Sequence, residues 1–194
     1  MNSVDAQGRT LRQRLDALYE DGDEHFQRFD AEVRRHEFHP FVPAEYGEVE
    51  KLLAPIAREG LRFLEWGSGS GVITIMADLL GFEAYGIELD AALVDVARDL
   101  AQKHGSDAQF VAASFMPAGY EYRDPDGGNR TGTLGDGPSG YLALGRPLDE
   151  FDVVFGYPWH GEEAVMRDVF RRYGSPDAKL IIFPGGTRPI RQAW

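Results

Sequence analysis

The chain has 194 residues, of which 43% are hydrophobic, and this length suits one globular domain with a sizeable core. It contains no cysteine, which excludes disulfides and a thiolate nucleophile. The N-terminus lacks a signal-peptide pattern and no apolar run reaches the roughly 20 residues that span a bilayer. We therefore expect a cytoplasmic location without membrane association.

The net charge of −12 argues against nucleic acid as the main substrate, because such binding uses Lys and Arg to neutralise phosphates. A small-molecule or cationic substrate fits this charge better.

The first 50 residues are predicted to form a helical cap. Leu11, Leu15 and Leu18 recur at helical spacing, and a second apolar set repeats this spacing further on: Phe26, Phe29 and Val33. Gly22 lies between the two sets, so the pattern leaves open one helix or two. We expect this cap, residues 1–50, to pack on the main domain, residues 51–194.

A segment rich in histidine and aromatic residues follows the cap. Residues 36–46 contain two prolines, which should end the helix, together with two histidines and three aromatic side chains. This composition is unusual for a plain linker. His36 and His39 lack a convincing third metal ligand, so no metal site is predicted. A helix over residues 45–59 should lead into the first strand.

Strands and helices alternate from residue 61 onward. We predict strands at 61–66, 83–88, 108–112, 151–156 and 178–183, and helices at 71–80, 91–104 and 161–173. This alternation indicates an α/β fold with a doubly wound, mostly parallel sheet and right-handed crossovers. Ligands bind at the carboxyl ends of the strands in such sheets, so we expect the site on that edge.

The most informative motif begins where the first predicted strand ends. Glu65 is followed by three alternating glycines, Gly67, Gly69 and Gly71, and Glu88 ends the second strand 17 residues beyond the last glycine. Glycines let the backbone approach a ligand closely because they have no Cβ. An acid after the second strand is placed to bind ribose hydroxyls. The motif therefore predicts a nucleoside pocket.

Two kinds of nucleoside cofactor use a glycine loop of this type. A dinucleotide site follows Gly-x-Gly-x-x-Gly and would need a third glycine at position 72, where the sequence has Val72. Glu65 would repel a pyrophosphate but can pair with the cationic end of an amino acid. The pattern favours a cofactor with an amino-acid end, and a nicotinamide or flavin dinucleotide is the alternative.

The Glu-x-Gly-x-Gly-x-Gly pattern and the later acid resemble motif I of the class I S-adenosylmethionine-dependent methyltransferases, and the resemblance covers about residues 61–184. It implies the Rossmann-like methyltransferase fold, S-adenosyl-L-methionine as cofactor and S-adenosyl-L-homocysteine as product. In that family the acid-and-glycine loop holds the methionine part of the cofactor, and the acid after the second strand binds the ribose. The cofactor-binding residues implied here are Glu65, Gly67, Ser68, Gly69, Gly71, Glu88, Leu89, Ser114, Phe115 and Tyr157.

The resemblance also assigns roles to segments on either side of the motif. In related methyltransferases a segment before motif I often crosses the mouth of the cofactor site, which is the role implied for residues 36–46. Family members often carry an acid after the third strand that contacts the adenine amino group. Ser114 falls near that place and would make a weaker polar contact, while Phe115 would pack on the adenine ring.

The sequence after the fourth strand resembles a motif of amine and amide methyltransferases, which read Asn or Asp, Pro, Pro, then Tyr or Trp. Pro158 and Trp159 match its second half, but Gly156 replaces the polar residue that accepts the substrate N–H. The candidate catalytic residues are Tyr157 and His160. The intrinsic pKa of His160 suits a general base. Glu162 is a further substitute for the missing acceptor.

Two features depart from the regular alternation. Residues 119–148 are predicted to be a flexible insertion, either a substrate lid or a plain disordered loop, because residues 124–140 are dominated by Gly, Asp, Pro, Ser and Thr. The usual C-terminal antiparallel hairpin of the family has no room after the fifth strand. That strand would be an exposed edge unless the tail, the N-terminal helices or another subunit covers it, which would allow a homodimer.

The leading functional hypothesis is methyl transfer from S-adenosyl-L-methionine to a small molecule or to a protein side chain. The alternative is a catalytically silent module with the same fold that binds the cofactor or a partner. The altered fourth-strand motif and the missing adenine acid motivate this alternative. The sequence does not identify the methyl acceptor.

Overall fold

A computed structural model of the protein describes residues 8–34, 36, 39, 41–121, 137–159, 161–183 and 191–193, the last three by their backbone only. The helices are α1 (Leu11–Phe29), α2 (Tyr46–Leu53), α3 (Val72–Leu80), α4 (Ala91–His104), α5 (Gly140–Leu144) and α6 (Glu163–Tyr173). The strands are β1 (Arg62–Trp66), β2 (Glu83–Glu88), β3 (Gln109–Ala112), β4 (Val153–Gly156), β5 (Lys179–Ile182) and β6 (Arg191–Ala193).

The strands form one sheet in the order β3-β2-β1-β4-β5-β6. The first five strands are all parallel, which confirms the predicted doubly wound sheet. Strands β1 and β4 are buried along nearly their whole length because helices cover both faces of the sheet. The chain adds strands outward from β1 in one direction up to β3 and then in the other direction from β4. This reversal of strand order lies between β1 and β4 and places the main crevice at their carboxyl ends.

The outer edge of β5 is covered by the end of the chain. Strand β6 runs antiparallel to β5, with Leu180 opposite Ala193 and Ile182 opposite Arg191. The sequence left three possibilities for covering this edge: the tail, the N-terminal helices or another subunit. In the described residues, the tail covers it. A second antiparallel strand, which would complete the usual hairpin, is not present among the described residues.

The cap packs on α3 and α4 through a single long helix. Helix α1 starts at a capping box between Thr10 and Gln13 and continues through Gly22 without a break. Leu15 and Leu18 belong to the same buried cluster as Ile75 of α3, so the cap shares its core with the rest of the chain. The sequence boundary proposed at residue 50 falls within α2.

The structure describes part of the predicted insertion. Residues 122–136 lie outside the described residues, but residues 137–148 contain α5 and form a parallel bridge between Ser114 and Ser139. The Tyr141 hydroxyl accepts a hydrogen bond from Trp66 Nε1 at 2.9 Å, and Leu148 is buried. The polar composition of residues 119–148 as a whole gave no indication that Tyr141 and Leu148 would be buried.

No helix in the described part of the chain is long and apolar enough to cross a membrane.

Gly22 is expected to be necessary for the contact between α1 and α3. A Cβ at this position would stand 2.7 Å from Val72 Cγ2 and 3.1 Å from the Tyr46 hydroxyl. We predict that Gly22→Ala lowers the free energy of unfolding in urea by about 1–3 kcal/mol, because overpacking outweighs the gain in helix propensity. The matched control is Gly47→Ala in α2, where a Cβ would meet nothing within 4 Å, and it should stabilise by about 0.5–1 kcal/mol. Equal effects of the two substitutions would contradict this packing account.

Candidate cofactor site

The carboxyl ends of three neighbouring strands meet at one edge of the sheet. In the register of β1, Trp66 pairs with Ile87 of β2 on one side and with Gly156 of β4 on the other. The glycine loop follows β1, Glu88 ends β2, and the fourth-strand motif follows β4. The predicted site residues of these three segments therefore share one edge, as the parallel topology requires.

The glycine loop is fastened to β2 by its backbone. The amides of Gly67 and Ser68 both donate hydrogen bonds to the Ile87 carbonyl, at 2.9 and 3.1 Å. Gly71 has a φ of +81°, and a Cβ there would lie 2.6 Å from the Ala97 methyl and 2.8 Å from the Phe110 ring. This glycine is therefore needed for the close packing of the loop on α4 and β3, whether or not a ligand is bound.

Glu88 is held in place by three backbone amides. Its Oε2 accepts from Gly69 N at 2.8 Å, and its Oε1 accepts from Leu89 N at 2.7 Å and Asp90 N at 3.0 Å. A carboxylate has about four accepting positions, so capacity remains for a ligand hydroxyl. The half-buried carboxylate is thus oriented before any ligand arrives.

Glu65 is a buried acid at the base of the loop. It is 4% exposed and its Oε2 accepts a hydrogen bond from the Thr74 hydroxyl at 2.5 Å. Burial raises the pKa of Glu65 to about 8, helped by the charge of Glu88 and opposed by the hydrogen bonds from Thr74. Within the described part of the chain Glu65 forms no ion pair. A cationic group placed beside it would lower this pKa and stabilise the carboxylate.

The remaining predicted site residues near the glycine loop are Ser68 and Leu89. Ser68 is buried, and its hydroxyl has no hydrogen-bond partner among the described residues. Leu89 follows Glu88 and lies against Gly137, where an added Cβ would be 3.3 Å from its Cδ2. The structure thus brings together seven of the ten residues implied by the resemblance: Glu65, Gly67, Ser68, Gly69, Gly71, Glu88 and Leu89.

The two residues expected at the adenine do not have the expected surroundings. Phe115 is 2% exposed and stacks on Trp66, with ring centroids 5.0 Å apart, so its ring lies in the core, and the adenine contact stays a prediction. Ser114 is also buried, and its hydroxyl accepts from Met116 N at 3.1 Å. Its backbone bonds to Pro138 and Gly140 fix this turn and direct Phe115 into the core.

The predicted site residues after β4 are Tyr157, His160 and Glu162. Tyr157 is half-buried against Phe183, with centroids 5.7 Å apart. Burial, and secondarily the charge of Glu45, raises the pKa of Tyr157 further above neutral pH than that of an ordinary tyrosine. Glu162 is buried and accepts from Trp159 N at 2.9 Å, which shapes the turn before α6. His160, the other predicted catalytic residue, lies outside the described residues.

Three contributors to the site were not singled out from the sequence. Thr74, the partner of Glu65, is the one polar residue in the apolar first turns of α3. Asp90 caps α4 through Ala92 N and could have been found by the usual preference of Asp for helix N-termini. Phe41 was not named by itself, but it lies in the segment 36–46 that the resemblance places at the mouth of the cofactor site, and its ring lies against Gly69.

Comparison with known proteins gives partial relatives and a fold. No family model matches the chain. It is 38% identical over 63 residues to a ribosomal protein L11 methyltransferase of Neisseria gonorrhoeae, covering 32% of this chain and 21% of that protein. It is 35% identical over 68 residues to the Thermus thermophilus protein of the same name, covering 35% and 27%. The matched region thus spans about a quarter of these curated relatives.

Among solved structures, an RNA methyltransferase from Salinibacter ruber, in complex with S-adenosyl-L-homocysteine, superposes with a TM-score of 0.52 at 23% identity. The alignment covers 73% of this chain and 76% of that one. At this identity the likeness shows the fold. The chain therefore has the Rossmann-like fold of the class I methyltransferases, as the sequence resemblance implies.

The buried acid predicts an unusual dependence of stability on pH. The pKa of Glu65 is about 8 in the folded protein and near 4.5 when the chain is unfolded, so the folded state holds a proton that unfolding releases between these values. The free energy of unfolding should therefore fall as pH rises through this interval, by up to about 1.4 kcal/mol per pH unit.

We predict that Glu65→Gln removes this contribution. Urea denaturation at pH 5, 6.5 and 8 should show the variant gaining stability over the wild type as pH increases. Glu59→Gln, which changes an exposed acid, is the control and should show no such trend. A difference between Glu65→Gln and wild type that stays constant with pH would contradict the burial account.

Proposed function

We propose that this chain binds S-adenosyl-L-methionine at the carboxyl edge of β1 and β2 and transfers its methyl group to an acceptor. The observation that carries this proposal is that two acids with different surroundings lie beside one glycine loop. Glu65 is buried without an ion pair, and Glu88 is half-buried and oriented by three amides. This arrangement fits a ligand with a cationic group at one end and a diol further along.

Glu65 would receive the amino group of the cofactor. A buried carboxyl with a raised pKa gains most from a cation, because the ion pair offsets the desolvation that now keeps it protonated. A dinucleotide offers a pyrophosphate, which would meet two carboxyl groups here. The electrostatics of the loop therefore support S-adenosyl-L-methionine over a nicotinamide dinucleotide.

Glu88 would receive the ribose hydroxyls, and the bare backbone at Gly67 would allow the sugar to approach the loop. Ser68 offers a buried hydroxyl that has no partner among the described residues, which suits a polar atom of the ligand. Leu89 supplies an apolar surface beside Glu88, in the place where a base would follow its ribose. Phe115 is packed on Trp66, so the proposal does not use its predicted contact with the adenine.

The bound cofactor supplies an electrophilic methyl group on a sulfonium, and the protein has to align the acceptor and exclude water. The phenol of Tyr157 is neutral at working pH, as an ordinary tyrosine is, and its raised pKa strengthens this. It would therefore orient the acceptor by a hydrogen bond and would not serve as a base. A base is needed only when the acceptor atom carries a proton at working pH. His160 is proposed for that role from its place in the sequence alone.

The acceptor is proposed to be a protein side chain or a small molecule with a cationic group. The net charge of −12 supports a cationic acceptor. The curated partial relatives are named for a ribosomal protein, which supports a protein side chain over a metabolite.

Titration calorimetry with S-adenosyl-L-homocysteine tests the cofactor assignment. The wild type should bind it, and Glu88→Gln should weaken binding by about 1.5–3 kcal/mol, or roughly ten- to a hundredfold, through loss of hydrogen bonds to a charged group. Glu59→Gln is the control and should bind normally. Tight binding of a nicotinamide dinucleotide without binding of S-adenosyl-L-homocysteine would reverse the assignment.

A catalytically silent module is the second candidate, and Gly156 favours it. The family motif has a polar residue at this position, whereas here a Cβ would meet Met166 Sδ at 2.8 Å, so a larger side chain does not fit without rearrangement. This candidate implies cofactor binding without turnover. Formation of S-adenosyl-L-homocysteine from S-adenosyl-L-methionine on incubation with protein and small-molecule acceptors would eliminate it.

A further inference from the structure

A cavity of about 510 Å³ lies between α5, the segment after β3 and the turn after α6. We call it the α5–α6 groove, and it is lined by residues 117–118, 139, 141–142, 147–149 and 172–176. Small-molecule sites commonly have volumes of roughly 300–1,000 Å³. None of the lining residues is among the ten implied for the cofactor, so the groove does not belong to the candidate cofactor site.

The walls of the α5–α6 groove are mostly apolar, with prolines, tyrosines and leucines from four segments of the chain. Tyr141 and Leu148 are buried, whereas Leu142 is 76% exposed and Tyr173 is 37% exposed. In the described part of the chain four large hydrophobic side chains are exposed, and two of them line this groove. Apolar surface that stays exposed in one place is typical of a binding site.

One polar group of the groove lacks a partner. Ser139 is 9% exposed, and no described residue forms a hydrogen bond with its hydroxyl. It is the N-cap of α5, yet its side chain makes no capping hydrogen bond, although serine at this position usually bonds a backbone amide of the first turn. A buried hydroxyl without a partner costs stability, and a ligand that brings a donor or an acceptor would remove this cost.

The charges that line the groove balance. Asp149 and Arg172 are its two charged residues. Arg172 is engaged by Asp168, whose Oδ2 lies 2.9 Å from its Nε. Asp149 is exposed, so solvent weakens its attraction for a cation. Because a charged ligand would lose hydration here without a dedicated counter-charge, a neutral ligand is the better match.

We propose that the α5–α6 groove is a second ligand site, which takes a neutral and mostly apolar ring compound with one hydrogen-bonding group. The rings of Tyr141 and Tyr173 and the neighbouring apolar side chains contact the flat body of the ligand. The Ser139 hydroxyl pairs with its polar group. This site goes beyond the proposed methyl transfer and does not rest on it.

Indole is the probe, because it is a neutral bicyclic ring with a single N–H donor. In a ligand-observed NMR titration of the full chain it should bind with a Kd of roughly 0.1–1 mM. Its analogue 1-methylindole, which lacks the donor, should bind roughly three- to tenfold more weakly. In Ser139→Ala this preference for indole should disappear, whereas a preference that persists would contradict the role of the hydroxyl.

Two charged analogues test the ligand class. Tryptamine is a cation and indole-3-acetate is an anion, and each should bind roughly fivefold or more weakly than indole. Tighter binding of either ion than of indole would overturn the assignment to a neutral ligand.

Leu142→Ser is the second variant, and its exposure makes the fold insensitive to the change. It should weaken indole binding by roughly three- to fivefold, because apolar contact at the rim is lost. Leu11→Ser, in another exposed leucine outside the groove, is the control and should bind indole normally.

Three results would overturn the proposal. The first is no saturable binding of indole at roughly ten times the expected Kd. The second is equal binding by wild type, Ser139→Ala and Leu142→Ser, which would place indole elsewhere on the protein. The third is a wild-type dimer in sedimentation that Leu142→Ser converts to a monomer, which would assign the groove to a second copy of the chain.

Discussion

The carboxylate of Glu88 is the interaction on which the candidate site depends. It accepts the amides of Gly69, Leu89 and Asp90, and so joins the glycine loop after β1 to the beginning of α4 after β2. Two neighbouring parallel strands bring these segments together, and the amides of Gly67 and Ser68 fasten the loop to the Ile87 carbonyl of β2. The carboxylate adds the direct connection from the loop to the start of α4.

Glu65 shows the opposite use of an acid. Its burial costs stability above its usual pKa, and the described residues do not compensate that cost with a cation. Sites that are poorly satisfied in the folded chain commonly mark function, because a ligand then supplies the missing partner. The contrast between Glu65 and Glu88 gives the pocket a polarity along the strand edge, with the place for a cation at one end and for hydroxyls at the other.

The sequence predicted the sheet and the cofactor edge because both depend on local signals. Alternating strands and helices imply a parallel sheet, and Glu65, the glycines and Glu88 are read from their spacing alone.

The remaining features depend on contacts between distant residues. The resemblance places Phe115 at the adenine ring, and the sequence carries no sign that the bridge between Ser114 and Ser139 and the stacking on Trp66 hold its side chain in the core. Gly22 looked like a helix break, yet it is where α1 approaches α3. Gly69 was assigned to a ligand, while the structure shows that it also accommodates Phe41, 28 positions earlier in the chain.

The central claim is that a cationic amino-acid end binds beside Glu65, and proton release tests it most directly. Calorimetry of S-adenosyl-L-homocysteine binding at pH 7, in buffers of different ionisation enthalpy, counts the protons exchanged. Because the pKa of Glu65 is about 8 without a ligand, binding should release up to one proton, and 5′-methylthioadenosine, which lacks the amino-acid end, should release none. The same proton count for both ligands would contradict the account.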